Sequence, residues 1–289
     1  MYPAPDSSAL ALATLLEALL PVARAAGQAI MQIYASPFTV RNKDDASPVT
    51  DADVAAEAVI LQALAQLTPD VPVVAEEQMA AGHQPASARS FWLIDPLDGT
   101  REFIKRNGEF TVNIGLIQDT LPVLGVLYAP AVDRMFAGFC SDADEVKEEA
   151  EVEASNAGLP PGTRPTRSAF QELAGLRTNI ACRAVPASDL TVTCSRSHGR
   201  EDDLDDYLRP WLVRERVRIG SSLKFGLLAA GEADLYPRLS PTMEWDTAAG
   251  HAILRAAGGT VTDLQGAELR YGKPEFRNGN FVAWGRRKE

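Results

Sequence analysis

Between Ser8 and Tyr34 the apolar residues Leu12, Leu15, Leu16 and Leu19, then Val22, Ala26, Ile30 and Ile33, recur every three or four positions. That period predicts a helix with one buried side. Pro21 falls inside the run and lacks the N–H that the helix ladder needs, so a bend or break is expected there. A polar stretch, RNKDDASPVT, ends at Thr50, a suitable N-cap for a second helix with Val54, Ala58, Leu61 and Leu64 on one face and its end near Thr68-Pro69. The apolar runs VPVVA (71–75) and FWLI (91–94) predict strands that stop at acidic residues, and further strands are predicted at Thr111 to Gln118, Pro122 to Tyr128 and Arg134 to Phe139. The alternation resumes with TVTCS (191–195), a helix near 201–213, a strand near 216–219, a helix from Ser221, then ADLYP, a helix from Asp246 to Ala257 and a final FVAW. Such a pattern predicts a layered α/β (α+β) fold, with helices packed on sheets.

From Ser141 to about Ser188 the text becomes acidic and rich in proline and glycine, as in DADEVKEEAEVEASNAGLPPGTRP, and predicts an exposed insert. The chain accordingly divides into an N-terminal α+β unit at 1–188, which carries this insert, and a C-terminal α/β unit at 189–289. No internal repeat is visible.

A net charge of −11, from 28 basic and 39 acidic residues, opposes long nucleic acid as a partner. It leaves room for a small phosphorylated substrate, because a cation held by carboxylates inverts the local field. Cys140, Cys182 and Cys194 have neither disulfide nor zinc-site spacing and are expected as reduced thiols of a cytoplasmic protein. No Lys or Arg precedes the first apolar run, which argues against a secretory signal, and no uninterrupted stretch of 18 apolar residues predicts a spanning helix.

The strongest chemical signal is Asp95-Pro96-Leu97-Asp98-Gly99-Thr100, directly after FWLI. Two carboxylates three residues apart, with Pro and Gly turning the chain, can converge on one cation, and the Leu97 carbonyl can join them. Gly99 and Thr100 then open a helix whose free N–H groups suit a phosphate oxygen. Taken alone, the same six residues also fit an ordinary turn with a helix cap. Glu76 and Glu77 at another strand end, and Asp246 in WDTAAGHA, supply more carboxylates. An all-oxygen donor set suits Mg²⁺ or Mn²⁺ and not Zn²⁺.

VTDAD (49–53), EE (76–77), DPLDGT (95–100) and WDTAAGHA (245–252) resemble, in order, the signatures of the inositol monophosphatase superfamily. SPVTDAD, FWLIDPLDGTREFIKRNGEFTVNIGLI, GVLYAP, SRSH, GSSLKF and LYPR are similar to its CysQ-type 3'(2'),5'-bisphosphate nucleotidases, in which the acidic insert is not expected. The resemblance implies a five-layer αβαβα sandwich of the inositol monophosphatase and fructose-1,6-bisphosphatase type. It implies Glu76, Asp95, the Leu97 carbonyl, Asp98 and Asp246 as metal ligands, and Asp53, Thr100 and Glu76 as groups that position and activate water. Gly99 and Thr100 would bind the scissile phosphate, with Asp246 on the leaving-group side and Asp51 as an extra neighbour. Ser195, His198, Ser221 and Lys224 would hold the nucleotide and its other phosphate. The implied reaction, with two or three Mg²⁺ ions and inhibition by Li⁺, converts 3'-phosphoadenosine 5'-phosphate, a by-product of sulfate assimilation, to AMP. The sulfated analogue 3'-phosphoadenylyl sulfate is a second substrate to expect, in a monomer or homodimer. Inositol monophosphate, fructose 1,6-bisphosphate and a non-catalytic phosphonucleotide sensor are the alternatives.

Overall fold

The computed structural model of the chain describes residues 9–42, 48–83, 88–141, 166–197 and 199–287. Helix α1 (Ala9–Tyr34) runs through Pro21 without the expected break. A proline inside a helix costs about 3 kcal/mol, whereas burying one leucine contributes roughly 1.5 to 3 kcal/mol. Leu12, Leu16, Leu19, Leu20 and Ile30 are all buried, so packing wins. By length and composition α1 also passes as a membrane-crossing helix, although Thr14, Glu17 and Arg24 interrupt its apolar run; its buried residues here belong to the core cluster of the first sheet.

A short ribbon of β1 (Val40–Asn42) and β2 (Pro48–Thr50) leads to α2 (Asp51–Leu67). Thr50 caps α2 as predicted, its Oγ1 accepting from the Ala52 N–H while the Asp53 carboxylate accepts from the Thr50 N–H. The inner face of α2 differs from the predicted one: Val54 and Ala58 are exposed, and Ala52, Asp53, Ala56, Glu57, Ile60 and Leu64 are buried. Hydrophobicity alone misplaces this face because two carboxylates share it.

Residues 73–179 build a seven-stranded sheet in the order β3 (Val73–Ala75), β4 (Ser90–Asp98), β5 (Thr111–Gln118), β6 (Leu121–Ala129), β7 (Arg134–Cys140), β8 (Arg167–Leu173), β9 (Leu176–Asn179). Only β3 and β4 run parallel. Strands β8 and β9 correct the expectation of an exposed insert reaching residue 188; the part of that insert at 142–165 lies outside the described residues. All four residues of β9 are exposed, so this edge strand carries no alternation that a pattern search would find.

The second sheet has five strands, β10 (Leu190–Ser195), β11 (Val213–Ile219), β12 (Leu235–Arg238), β14 (Thr260–Asp263) and β16 (Phe281–Trp284), in the order β11-β10-β12-β16-β14. A ribbon of β13 (Thr242–Met243) and β15 (Arg277–Asn278) stands beside it. Short helices α3 (Glu76–Ala80) and α4 (Thr100–Ile104) follow β3 and β4, and α5 (Glu201–Leu208), α6 (Leu223–Ala229) and α7 (Ala248–Ala256) lie among the later strands. Helices α1 and α2 cover one face of the first sheet, α6 and α7 lie between the sheets, and α5 packs on the outer face of the second. This is the αβαβα order that the resemblance implies.

The middle layer is held close by glycine. Gly115, Gly125 and Gly138 are directly opposed on β5, β6 and β7. A Cβ on Gly125 would fall 2.2 Å from the Ala249 carbonyl oxygen, and one on Gly115 would fall 2.8 Å from the Ala248 Cβ. Helix α7 therefore rests directly on the sheet, which fixes the position of Asp246 just before it. On α7, buried His251 places Nδ1 3.0 Å from the Tyr271 hydroxyl, which donates to Thr247 Oγ1 at 3.2 Å. Burial, helped by Arg255, Lys273 and Arg270, holds its pKa well below the usual imidazole value.

Two outcomes follow from this layer. Gly125→Ala forces α7 off the sheet and is expected to cost about 1 to 3 kcal/mol of stability, measured by denaturant unfolding. His251 is neutral when folded, so its contribution is complete above pH about 6.5 and is lost as the pH falls toward the depressed folded value. Between pH 7 and 5 the stability of the wild type should fall more steeply than that of His251→Gln, by up to about 1.4 kcal/mol per pH unit; parallel profiles would refute the assignment.

Candidate functional site

The strand that begins FWLI does not stop at Asp95 but continues to Asp98 through a bulge. Asp95 pairs with Asn113 and Asp98 with Thr111, so Pro96 and Leu97 together oppose Val112. Residues three apart on a regular strand face opposite ways; the extra residue turns Asp95 and Asp98 to the same side. Gly99 then takes φ 95°, and a Cβ there would fall 3.0 Å from the Glu109 carbonyl oxygen, so only glycine suits the step into α4.

Glu76 reaches Asp95 because β3 pairs in parallel with β4, Ala75 opposite Ile94, and the two carboxyl groups are hydrogen-bonded. Asp246 joins from the turn before α7, its Oδ2 accepting the Met243 N–H at 2.9 Å. Burial, and then the charges of Glu76, Asp98 and Asp246, raise the Asp95 pKa well above the usual carboxylate value. Burial, and then Asp98 and Glu76, do the same to Asp246. Leu97 donates its N–H to Asp95 Oδ1 at 3.0 Å. Among the described residues, no three His, Cys, Asp or Glu side chains are drawn together closely enough to hold a metal ion as they stand.

Asp53 faces this cluster from α2. Its Oδ2 accepts the Thr50 N–H at 2.8 Å and the Thr50 hydroxyl at 2.7 Å, and its Oδ1 lies 3.2 Å from Thr100 Oγ1, which is also 3.3 Å from the Leu97 carbonyl oxygen. Burial pushes the Asp53 pKa up to about 7, against the Thr50 bonds. One helical turn on, Glu57 accepts the Glu77 N–H at 2.9 Å and is likewise pushed up to about 7 by burial. Asp51, the expected neighbour, turns to the surface and pairs with Arg41.

The residues expected around the nucleotide gather less completely. Ser195 ends β10, and His198 lies outside the described residues. Ser221 has a left-handed backbone, φ 50°, and its Oγ is 3.1 Å from Thr111 Oγ1. Lys224 is buried rather than solvated: Nζ donates to the Ser221 and Ile219 carbonyls and lies 5.1 Å from the Tyr236 ring centroid. Burial lowers its pKa to about 8, with Asp98 opposing. Sequence reasoning missed Glu57, whose spacing of four from Asp53 was the available signal, and Arg238, which closes the LYPR motif beside the site. Arg238 donates to the Ser240 and Pro241 carbonyls and pairs with no carboxylate among the described residues. Its charge acts on Lys224, Tyr236 and Asp246.

A protein of Salmonella typhimurium strain LT2 named 3'(2'),5'-bisphosphate nucleotidase CysQ is 46% identical over 270 residues, 92% of this chain and 98% of its own length. The crystal structure of CysQ from Bacteroides thetaiotaomicron, described as a bacterial member of the inositol monophosphatase family, matches with a TM-score of 0.66 at 34% identity, covering 95% of this chain and 98% of that one. An inositol monophosphatase structure from Anabaena (Nostoc) matches with a TM-score of 0.67 at 25% identity, covering 95% and 91%. The profile of the inositol monophosphatase family spans residues 11–288, from α1 through the bulged carboxylate strand to the end of the second sheet, and the chain belongs to that family.

Proposed function

We propose that this chain is a Mg²⁺-dependent phosphatase that removes the 3'-phosphate of adenosine 3',5'-bisphosphate, leaving AMP. The observation that carries the reading is the 46% identity, over 92% of the chain, to a protein named for that nucleotidase activity. The site supports it. Glu76, Asp95, Asp98, Asp246 and the Leu97 carbonyl offer only hard oxygen donors, which suit Mg²⁺, with Mn²⁺ as a substitute. The raised pKa values of Asp95 and Asp246 are what a nearby divalent charge would relieve. When bound, Mg²⁺ supplies positive charge to the phosphate oxygens and acidifies a water.

The chain's own groups do the rest. Asp53 Oδ1 accepts the Thr100 hydroxyl proton, which leaves a lone pair on Thr100 Oγ1 to take a hydrogen bond from the attacking water; Glu76 orients the same water. A carboxylate poised near pH 7 by burial is matched to that work. The water oxygen bonds to phosphorus as Glu76 takes one of its protons, the P–O3' bond breaks, and O3' departs on the Asp246 side, where a solvent water gives it the proton that completes the hydroxyl of AMP. Gly99 and Thr100 lie beneath the scissile phosphate. Ser195, His198 and Ser221 line the nucleotide pocket in this reading, Lys224 stiffens its Ser221 turn, and Arg238 reads the phosphate that is not cleaved.

With Mg²⁺ present, phosphate release from adenosine 3',5'-bisphosphate should exceed that from inositol 1-phosphate and fructose 1,6-bisphosphate. It should be inhibited by LiCl relative to KCl at equal ionic strength, and Asp98→Asn should nearly abolish it while circular dichroism is unchanged. A preference for inositol 1-phosphate would replace the nucleotidase reading. For Arg238→Ala, kcat/KM on the bisphosphate should fall about ten- to a hundred-fold more than on 3'-AMP, as loss of a charge-assisted contact of about 1.5 to 3 kcal/mol implies. Equal losses on both substrates would remove Arg238 from the role.

A further inference from the structure

A buried run of polar side chains connects the nucleotide side of the site to Asp98. Thr111 and Asn113 on β5 are fully buried, and Ser222, just before α6, is nearly so. Ser221 Oγ lies 3.1 Å from Thr111 Oγ1, and Thr111 Oγ1 lies 3.1 Å from Asn113 Oδ1. Asn113 Nδ2 donates to Ser222 Oγ at 2.8 Å, and Ser222 meets Asp98 Oδ2 with both its N–H, at 2.6 Å, and its hydroxyl. Ser222 Oγ is also 2.8 Å from the Asp246 carbonyl oxygen, and Asn113 Nδ2 is 3.5 Å from Asp98 Oδ2.

The chemistry of these groups gives the run a direction. An amide oxygen only accepts, so Thr111 must donate to Asn113 Oδ1, and its own oxygen is then left to accept from Ser221. The Asn113 amide nitrogen only donates, so Ser222 Oγ accepts there and turns its single proton toward Asp98 or the Asp246 carbonyl. Each bond polarises the next toward the negative end. The carboxylate is thereby held through one oxygen, and among the described residues no hydrogen bond reaches Asp98 Oδ1.

We infer that Ser222 and Asn113 are positioning residues: they clamp Asp98 through Oδ2, set the direction of Oδ1 toward the cation, and tie Asp98 to the Asp246 backbone so that a carboxylate of the first sheet and one from the turn before α7 move as one unit. The inference rests on the proposal that Asp98 is a Mg²⁺ ligand. Removing a partner that orients a ligand costs about ten- to a hundred-fold in metal affinity. The feature is specific, because one residue meets both elements: the Ser222 N–H donates to a side chain of β4, and its hydroxyl lies between that carboxylate and the backbone carbonyl that precedes α7.

The test is a mutant cycle on the full chain, read by isothermal titration with Mg²⁺ and by kcat and KM. Ser222→Ala, and independently Asn113→Leu, should weaken Mg²⁺ binding about ten-fold or more, lower kcat more than they raise the substrate KM, and leave the unfolding midpoint without Mg²⁺ near that of the wild type. In an Asp98→Asn background the further loss of Mg²⁺ affinity from Ser222→Ala should vanish, because the residue acts through Asp98. The same fold-loss in both backgrounds, or unchanged Mg²⁺ affinity in both Ser222→Ala and Asn113→Leu, overturns the inference alone. An Asp98→Asn variant that titrates Mg²⁺ like the wild type overturns the metal reading and this inference with it.

Discussion

Carboxylates brought side by side into a protein interior repel one another, and the architecture of this chain is organised around making them do so. They come from four places: Asp53 from α2, Glu76 from the end of β3, Asp95 and Asp98 from β4, and Asp246 from the approach to α7. Glu76, Asp95, Asp98 and Asp246 are delivered by backbone devices, a parallel strand pair, a bulge and a row of glycines, and Asp53 by the helix cap that its own carboxylate helps to make. Burying an uncompensated ion costs several kcal/mol, which is why Asp95 and Asp246 hold their protons more tightly than ordinary carboxylates. The core of the fold supplies that free energy.

Much of this was legible in the residues. Thr50 announced a cap, Thr111 to Gln118 announced a strand and is one, and the Asp95–Asp98 spacing with its intervening Pro-Leu pointed to convergent carboxylates. These are local signals in which the residue type and the backbone geometry that requires it lie within a few positions. The WDTAAGHA run announced a helix, although what makes its small residues necessary, the opposed glycines of three strands, is set by register and not by neighbours.

The failures were long-range or concerned which of two local tendencies prevails. Pro21 was outweighed by the leucines around it. The α2 face was misjudged because Asp53 and Glu57 are turned inward by partners at positions 50, 77 and 100. Strand β9 was hidden in polar text, because an edge strand needs only backbone partners, and β8, which buries only Ala169 and Phe170, was hidden with it. Lys224, expected to hold the other phosphate of the nucleotide, donates from Nζ to the carbonyls of its own turn. Arg238, Asn113 and Ser222 could be located only by folding, since each matters through residues far from it in the chain.

The capping box at the start of α2 divides one carboxylate between two duties. Asp53 fastens the helix start with Oδ2 and faces Thr100 with Oδ1. Active-site carboxylates are ordinarily places where a protein gives up stability for activity, so that replacing them hardens the fold. At position 53 the two meet in one group: the carboxylate proposed to face the chemistry also accepts the Thr50 N–H at the helix start, while its burial opposes that bond. Drift at this residue is opposed twice, and a lineage that abandoned catalysis would still have a structural reason to keep it.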